Sequence, residues 1–445
     1  MKKYTLSQYN CIKKIGDTTV GVNLLKQLLF SIDCAKHQEL MDYSDDLEQL
    51  QIKNSVFFNT MYKLGVIQDT HLDKTANQSL LLKNRMYIFN SEEYRLTINP
   101  TLNCNFNCWY CYETHSKKRM NKSIISNTLQ YIQNLVEQKR MTVFYLDWFG
   151  GEPLLCYKTV MKTLAVEAKK ICENSGILFE SGITTNGYLI NEEIITFFKE
   201  INMQSLQITL DGKREVHNTI RFQNNNHNSY DKIIQNIILL AERLEPKNLA
   251  VRINFTMDSF YDITSIIDSF PLSVRNKITI LLQQVWQDKD KDKLDIKEFE
   301  EAKLTFEKAG FRVEKNILNC AGYTCYADKF KQAVINYDGR VFKCTARNFE
   351  KEKEDGVLTE DGQIMWHNDK LPIKIAKATF ENDICMNCKY LPVCFAPCSQ
   401  KMYQVHRGDD FNKYCFKAGI EITLDYIMTE FEKSGKALAP LLNYR

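Results

Sequence analysis

Between Arg95 and about Lys308 the chain alternates short runs of β-branched and apolar residues with longer stretches whose apolar positions recur every three or four residues. That alternation is the mark of repeated βα units, and such units build a parallel sheet. The expected strands are Arg95–Pro100, Val143–Trp148, Ile177–Thr184, Gln204–Leu210, Ala250–Phe255 and Ile278–Gln283. The expected helices are Lys122–Glu137, Val160–Cys172, Glu192–Glu200, Tyr230–Leu244, Ser259–Ser269 and Lys297–Ala309. Six βα units predict an incomplete (β/α)6 TIM barrel, an α/β fold whose chemistry belongs at the C-terminal ends of its strands.

The preceding residues have another texture. Tyr9 to Ser31 reads as two short strand-like runs about a polar turn at Gly16-Asp17, and Asp45 to Leu64 reads as helical, closed by Gly65 and followed by a β-branched run. A helix ended by glycine and followed by a short strand is the pattern of a winged-helix module. Such modules bind DNA or accept a peptide as an added edge strand, and without a basic stripe the peptide is the better fit.

With 445 residues there is room for two or three domains. A net charge of +3 with mixed signs gives no case for nucleic acid or an anionic membrane as partner. No apolar run is long enough to span a bilayer and the first residues lack a secretion signal, so a cytoplasmic location is expected. Fifteen cysteines in a reducing compartment are poor disulfide candidates and good metal or cluster ligands. Cys11, Cys34, Cys156 and Cys172 stand in apolar or mixed surroundings and read as small packed side chains; the other eleven fall in groups.

Cys104, Cys108 and Cys111 are spaced CX3CX2C directly after the first expected barrel strand. A 4Fe-4S cube has four corners, so three thiolates leave one iron open to a small molecule, whereas full ligation allows only electron transfer. Phe149-Gly-Gly-Glu-Pro153 follows the second strand, Thr184-Thr-Asn-Gly187 the third and Asp211-Gly212 the fourth, so all four motifs converge on one rim. The cysteine spacing, with Tyr110 before the last cysteine, resembles the radical S-adenosylmethionine (SAM) family, in which the open iron chelates SAM. The resemblance makes Cys104, Cys108 and Cys111 the catalytic cluster ligands. It also places Tyr110, Gly150, Gly151, Glu152, Thr185, Gln207, Asp211 and Arg221 around SAM. Gly150-Gly151-Glu152 would take the methionine amino group, Arg221 would pair with its carboxylate, and Asp211, Gln207 and Thr185 are alternative hydroxyl partners.

Beyond the barrel come Cys320, Cys325, Gly339-Arg-Val-Phe-Lys-Cys344, Cys385-Met-Asn-Cys388, Cys394, Cys398 and Cys415. Eight thiolates without histidine suit two four-cysteine sites of iron or of zinc. The order G-X4-C, then CX2CX5CX3C and a last cysteine, resembles the SPASM (twitch-type) extension of radical SAM enzymes. That implies two auxiliary 4Fe-4S clusters, one on Cys320, Cys325, Cys344 and Cys398, the other on Cys385, Cys388, Cys394 and Cys415.

The organisation expected is therefore 1–90, a winged-helix-like peptide-recognition module; 91–310, the radical SAM partial barrel; and 311–445, the SPASM domain. The family resemblance implies an oxidoreductase of the RiPP maturase type. It would cleave SAM to a 5′-deoxyadenosyl radical, abstract hydrogen from a ribosomally made precursor peptide and close a thioether, ether or C–C cross-link. The leader would dock on the first module, and flavodoxin or ferredoxin would supply electrons. The alternative is a sulfatase-maturating, formylglycine-forming enzyme or another radical SAM modifier of proteins or small molecules. Against the sulfatase activity stand the extra ninety residues and Thr345, where those enzymes carry an aspartate after the G-X4-C cysteine. A general base for the substrate is expected among Glu113, Asp147 and Asp328.

Overall fold

A computed structural model describes residues 3–222, 228–290, 294–314, 318 and 324–441 of the chain. Its first strands are β1 (Tyr4–Leu6), β2 (Asn10–Ile15), β3 (Thr18–Asn23) and β4 (Leu28–Asp33). The β2–β3 turn falls on Gly16-Asp17, with Gly16 at φ 59°, so the polar turn read from the sequence joins two antiparallel strands. Helices α1 (Cys34–Asp42), α2 (Leu47–Lys53) and α3 (Ser55–Lys63) follow, then β5 (Ile67–Asp69), which pairs antiparallel with β1, and α4 (Leu72–Ile88). The expected single helix 45–64 is two helices. Asn54 leaves helical geometry, with φ −141°, and its side chain accepts from the Phe57 backbone N–H at 3.2 Å, capping α3. Asparagine offers the backbone a partner outside the helix ladder and so breaks a continuous helix.

The barrel strands are β6 (Glu93–Asn99), β7 (Val143–Trp148), β8 (Leu178–Thr185), β9 (Met203–Leu210), β10 (Asn248–Phe255) and β11 (Ile278–Gln284). They lie side by side in chain order, each parallel to the next. Helices α5 (Lys122–Glu137), α6 (Lys162–Asn174), α7 (Glu192–Glu200), α8 (Arg214–Ile220) and α9 (Tyr230–Arg243) connect them, with a later helix at Ile296–Lys308. The apolar stripes are what the sheet buries: α5 turns Ile125, Ile132 and Val136 inward, and α7 turns Ile194, Ile195 and Phe198. Asn121 and Asn191 cap these two helices, accepting from Ile124 and Ile194. The segment expected as a helix over Ser259–Ser269 is instead a four-residue α-helix at Met257–Phe260 and a 3₁₀ stretch at Ile263–Ser269.

Strand β12 (Arg312–Val313) extends the sheet beyond β11, and β13 (Gln332–Asn336) pairs parallel with β6 on its other side. An incomplete barrel leaves that edge of β6 unpaired, and β13 covers it. β14 (Arg340–Phe342), β15 (Gly356–Leu358) and β16 (Ile364–Trp366) continue the sheet antiparallel. The last strand, β17 (Leu438–Pro440), pairs antiparallel with β4 and makes the four-stranded sheet β17-β4-β3-β2.

These pairings divide the chain otherwise than into three consecutive segments. One unit comprises Met1–Phe89, Lys315–Lys329 and Pro372–Arg445; the other comprises Asn90–Glu314 and Phe330–Leu371. Residues 330–371 continue the barrel sheet, and β17 completes the sheet begun near the start of the chain.

Candidate active site and cysteine clusters

The loop leaving β6 carries Cys104, Cys108 and Cys111, and all three line one cavity of about 180 Å³ at the C-terminal ends of the barrel strands. β8 supplies Thr184 and Thr185, β9 Gln207 and Thr209, β10 Arg252 and Asn254, and β11 Gln284. The loop is pinned from behind. A Cβ on Gly151, which has φ 40°, would lie 2.6 Å from the Leu102 carbonyl carbon, so only glycine lets the two loops approach. Its N–H donates to Glu113 Oε2 at 2.8 Å, and the Glu152 N–H donates to the Asn103 carbonyl at 2.8 Å.

Of the eight residues expected around the cofactor, Tyr110, Gly150, Gly151, Thr185, Gln207 and Arg221 line this cavity, and Glu152 and Asp211 lie behind it. The carboxylate of Glu152 is fully buried and accepts from Leu154 N at 3.0 Å, Thr185 Oγ1 at 2.8 Å and Asn186 N at 2.8 Å. Burial raises its pKa while these three donors pull it back. These bonds tie the glycine loop to the loop after β8. Gly150 and Gly151 remain to present backbone to the cavity.

Arg221 and Asp211 form a buried ion pair, to which the Tyr110 hydroxyl is joined. It donates to Asp211 and accepts from Arg221 Nη2 at 2.8 Å and Asn254 Nδ2 at 2.9 Å. Burial works against the charge of Arg221, but Asp211 beside it holds the guanidinium pKa well above its ordinary value. His217 accepts from the Asp211 N–H at 3.2 Å through Nδ1; burial, and then Arg221, hold it well below its usual pKa, so it is neutral. Glu113 lines the cavity, and burial pushes it up to about 7 against the pull of the Gly151 N–H. Among the expected bases, Asp147 is instead paired with Arg95, and Asp328 belongs to the other unit. Asn186 lies in the Thr184-Thr-Asn-Gly187 motif, but sequence reading missed Thr209, Arg252, Asn254 and Gln284. Each stands at the last residues of a barrel strand or just beyond, where an inward polar side chain is the available signal.

Four of the thiols assigned to clusters receive a backbone N–H donor. Cys104 Sγ accepts from the Phe106 N–H at 3.4 Å, Cys344 Sγ accepts from Ala346 at 3.3 Å, and the Glu113 and Ala396 N–H groups donate to Cys111 and Cys394. In each case the donor is two residues on. Cys34 and Cys156 donate to the carbonyls of Asp17 and Pro100. A sulfur that receives N–H donors is prepared for negative charge, as a cluster ligand must be. Burial pushes the Cys104 thiol up to about 12, with Glu152 adding to the shift and the Phe106 N–H opposing it.

In the other unit, Cys385, Cys388, Cys394 and Cys415 all line one cavity of about 30 Å³. Cys325 and Cys398 face a larger one of about 650 Å³ with Cys394 and Cys415. Cys320 lies outside the described residues, and Cys344 belongs to the barrel unit just after β14. Among the described residues no three His, Cys, Asp or Glu side chains converge as ligands of a single ion. No helix of the described residues is long and apolar enough to cross a membrane.

Residues 98–263 match the Radical SAM superfamily. A cysteine-type anaerobic sulfatase-maturating enzyme of Clostridium novyi is 25% identical over 354 residues, 72% of this chain and 92% of that one. Among solved structures, histidine-tagged anSMEcpe with bound AdoMet aligns with TM-score 0.54 at 17% identity, over 74% of this chain and 95% of that one. Streptococcus suis SuiB aligns with TM-score 0.50 at 14% identity, over 92% of this chain and 97% of that one.

Proposed function

Residues 98–263 belong to the radical SAM superfamily, and from that premise we propose that the protein is a radical SAM/SPASM maturase that cross-links a ribosomally made precursor peptide. The observation that carries this reading is the shared cavity: Cys104, Cys108 and Cys111 face the same space as Gly150, Gly151 and Arg221. These thiols would hold a 4Fe-4S cluster by three corners, leaving the fourth iron for SAM. When bound, the cluster and SAM supply a 5′-deoxyadenosyl radical that takes hydrogen from the substrate. The protein's residues position and exclude. Gly150 and Gly151 would offer backbone to the methionine amino group and Arg221 would pair with its carboxylate, while Tyr110, Thr185 and Gln207 line the same cavity. Cys385, Cys388, Cys394 and Cys415 would hold an auxiliary cluster that receives an electron, with flavodoxin or ferredoxin as the external donor.

A peptide substrate is supported by the unit that holds the first 89 residues, whose antiparallel sheet offers a strand edge. The SuiB likeness leaves only 8% of 445 residues, about 36, unaligned, so its fold takes in more than half of that segment. A leader held there would keep the core peptide at high effective concentration near the cavity. The likeness to the Clostridium novyi enzyme keeps formylglycine formation as the second reading, and Thr345 after Cys344 stands against it.

The test is anaerobic incubation of the reconstituted, reduced protein with SAM and each short peptide found encoded in the neighbourhood of its gene, with a sulfatase-derived cysteine peptide as the second arm. Formation of 5′-deoxyadenosine with loss of two hydrogens from one of the neighbourhood peptides is expected. Modification of the sulfatase peptide alone would refute the cross-linking assignment. A second prediction concerns the cluster seat. Gly151→Ala is expected to push the cysteine loop off the glycine loop and lose about four irons per chain. Iron counting against the wild type checks it, and an unchanged iron content would remove the clamp from the account.

A further inference from the structure

The four-stranded sheet has one edge already occupied by a segment of the same chain. β17 lies antiparallel on β4 with Leu438 opposite Phe30, Ala439 opposite Leu29 and Pro440 opposite Leu28. Ser31 N donates to the Ala437 carbonyl at 3.0 Å and Leu441 N to the Gln27 carbonyl at 2.8 Å. β4 runs for six residues, and β17 pairs with only three of them.

As a strand, β17 is weak. Three residues fall short of the usual strand length of about five, and Pro440 has no N–H to give to a ladder. Its side chains hold on one face only. Ala439 and Leu441 are buried in a cluster with Leu29, Ile427 and Phe431, whereas Leu438 is 53% exposed. On the other face Phe30 packs against Leu40, Phe57 and Phe58 of the helices, so apolar surface lies next to the half-exposed Leu438. The tether is short and turns through Gly435 at φ 64°, directly after the helix Lys417–Lys433.

The opposite edge, β2, carries exposed Lys13 and Lys14. Lysines on an edge strand guard it against pairing, which leaves the β4 edge as the one suited to an added strand. We propose that this edge is the docking site for the extended apolar segment of a peptide partner, and that residues 438–441 hold its place until the partner displaces them. The partner this fits is an extended segment with small and apolar residues alternating toward the buried face, and no Pro in the ladder. The identity of that partner as the substrate's leader rests on the maturase reading; the exchange of strands does not. A held place lowers apparent affinity by the fraction of molecules in which the edge is open.

The test uses a labelled peptide of the sequence Ser434 to Leu441, read by fluorescence anisotropy against the full chain and against a variant ending at Gly435. The shortened, folded variant is expected to bind this copy at least about tenfold more tightly than the full chain does. Equal or undetectable binding to a folded shortened variant overturns the proposal and leaves the maturase reading untouched. Should shortening prevent folding, hydrogen exchange of the intact chain decides. The Ser31 and Leu441 amides are expected to exchange by local opening at least about tenfold faster than the amides joining β3 to β4. Exchange of all of them at one common rate would make β17 a permanent strand and overturn the proposal. Competition by short peptides found encoded in the neighbourhood of the gene then tests the leader: their failure beside successful binding of the copy refutes the leader assignment alone.

Discussion

A protein in which Cys104, Cys108 and Cys111 are all alanine is expected to form no measurable 5′-deoxyadenosine while keeping the iron bound in its other unit. The three thiols line one cavity on one loop, and no other cysteine of the described residues lines it. Without them a cube at this site has no protein corner, whereas losing one thiol leaves two. Cys385, Cys388, Cys394 and Cys415 keep a cavity of their own. Iron content should therefore fall by about four per chain and not to zero. Folding should survive, because cysteine to alanine at half-buried loop positions costs only about 1 kcal/mol each. Cys34→Ala and Cys156→Ala serve as controls: both sulfurs donate to backbone carbonyls and should leave iron and activity unchanged. Iron counting, SAM-dependent 5′-deoxyadenosine assay and thermal melting together check the set. Persistence of 5′-deoxyadenosine in the triple variant would dismiss the cluster assignment.

The barrel was legible because its period is strong. Val143–Trp148, Lys122–Glu137 and Glu192–Glu200 fall on the residues that periodicity marks, and the other five strands lie within two residues of expectation. Each of these elements buries one regular face, and a regular face is what a single sequence reveals. The losses come where the decision is tertiary. β13 joins the barrel because β6 has an edge to cover, and β17 joins β4 across more than four hundred residues. Nothing local in Gln332–Asn336 or Leu438–Pro440 announces a partner. The site divides in the same way. Cysteine spacing and the glycine pair are fixed by chemistry and were readable, but whether Glu152 faces the cavity or the loops behind it depends on where Thr185 and Asn186 put their donors. The polar strand ends Arg252, Asn254 and Gln284 carry no motif and emerge only once the strands are laid side by side.

Asp211→Ala should be among the most destabilising single substitutions in the barrel unit. Arg221 is 7% exposed and Asp211 1%, and the guanidinium is held well above its ordinary pKa by that carboxylate against the cost of burial. Removing one member of a buried ion pair leaves the other charged with no counterion, which costs about 3–5 kcal/mol. For a unit of this size the melting temperature should fall by roughly 10 °C. The Tyr110 hydroxyl loses its acceptor in the same step, whereas His217 bonds to the backbone N–H of residue 211 and keeps its partner. Replacing both charges, as Asp211→Leu with Arg221→Met, removes the uncompensated ion and should recover most of the stability, because an apolar pair of similar volume is often neutral or better. The double variant then separates two roles that the single variant confounds. If Arg221 is the carboxylate partner of SAM, the double variant melts near the wild type and binds SAM at least about tenfold more weakly, read by equilibrium binding to the anaerobically reconstituted protein. Wild-type affinity in that variant would confine Arg221 to holding Tyr110 and the end of β9. A melting temperature as low as the sum of the two single effects would mean that Asp211 and Arg221 are coupled less to each other than to Tyr110 and Asn254.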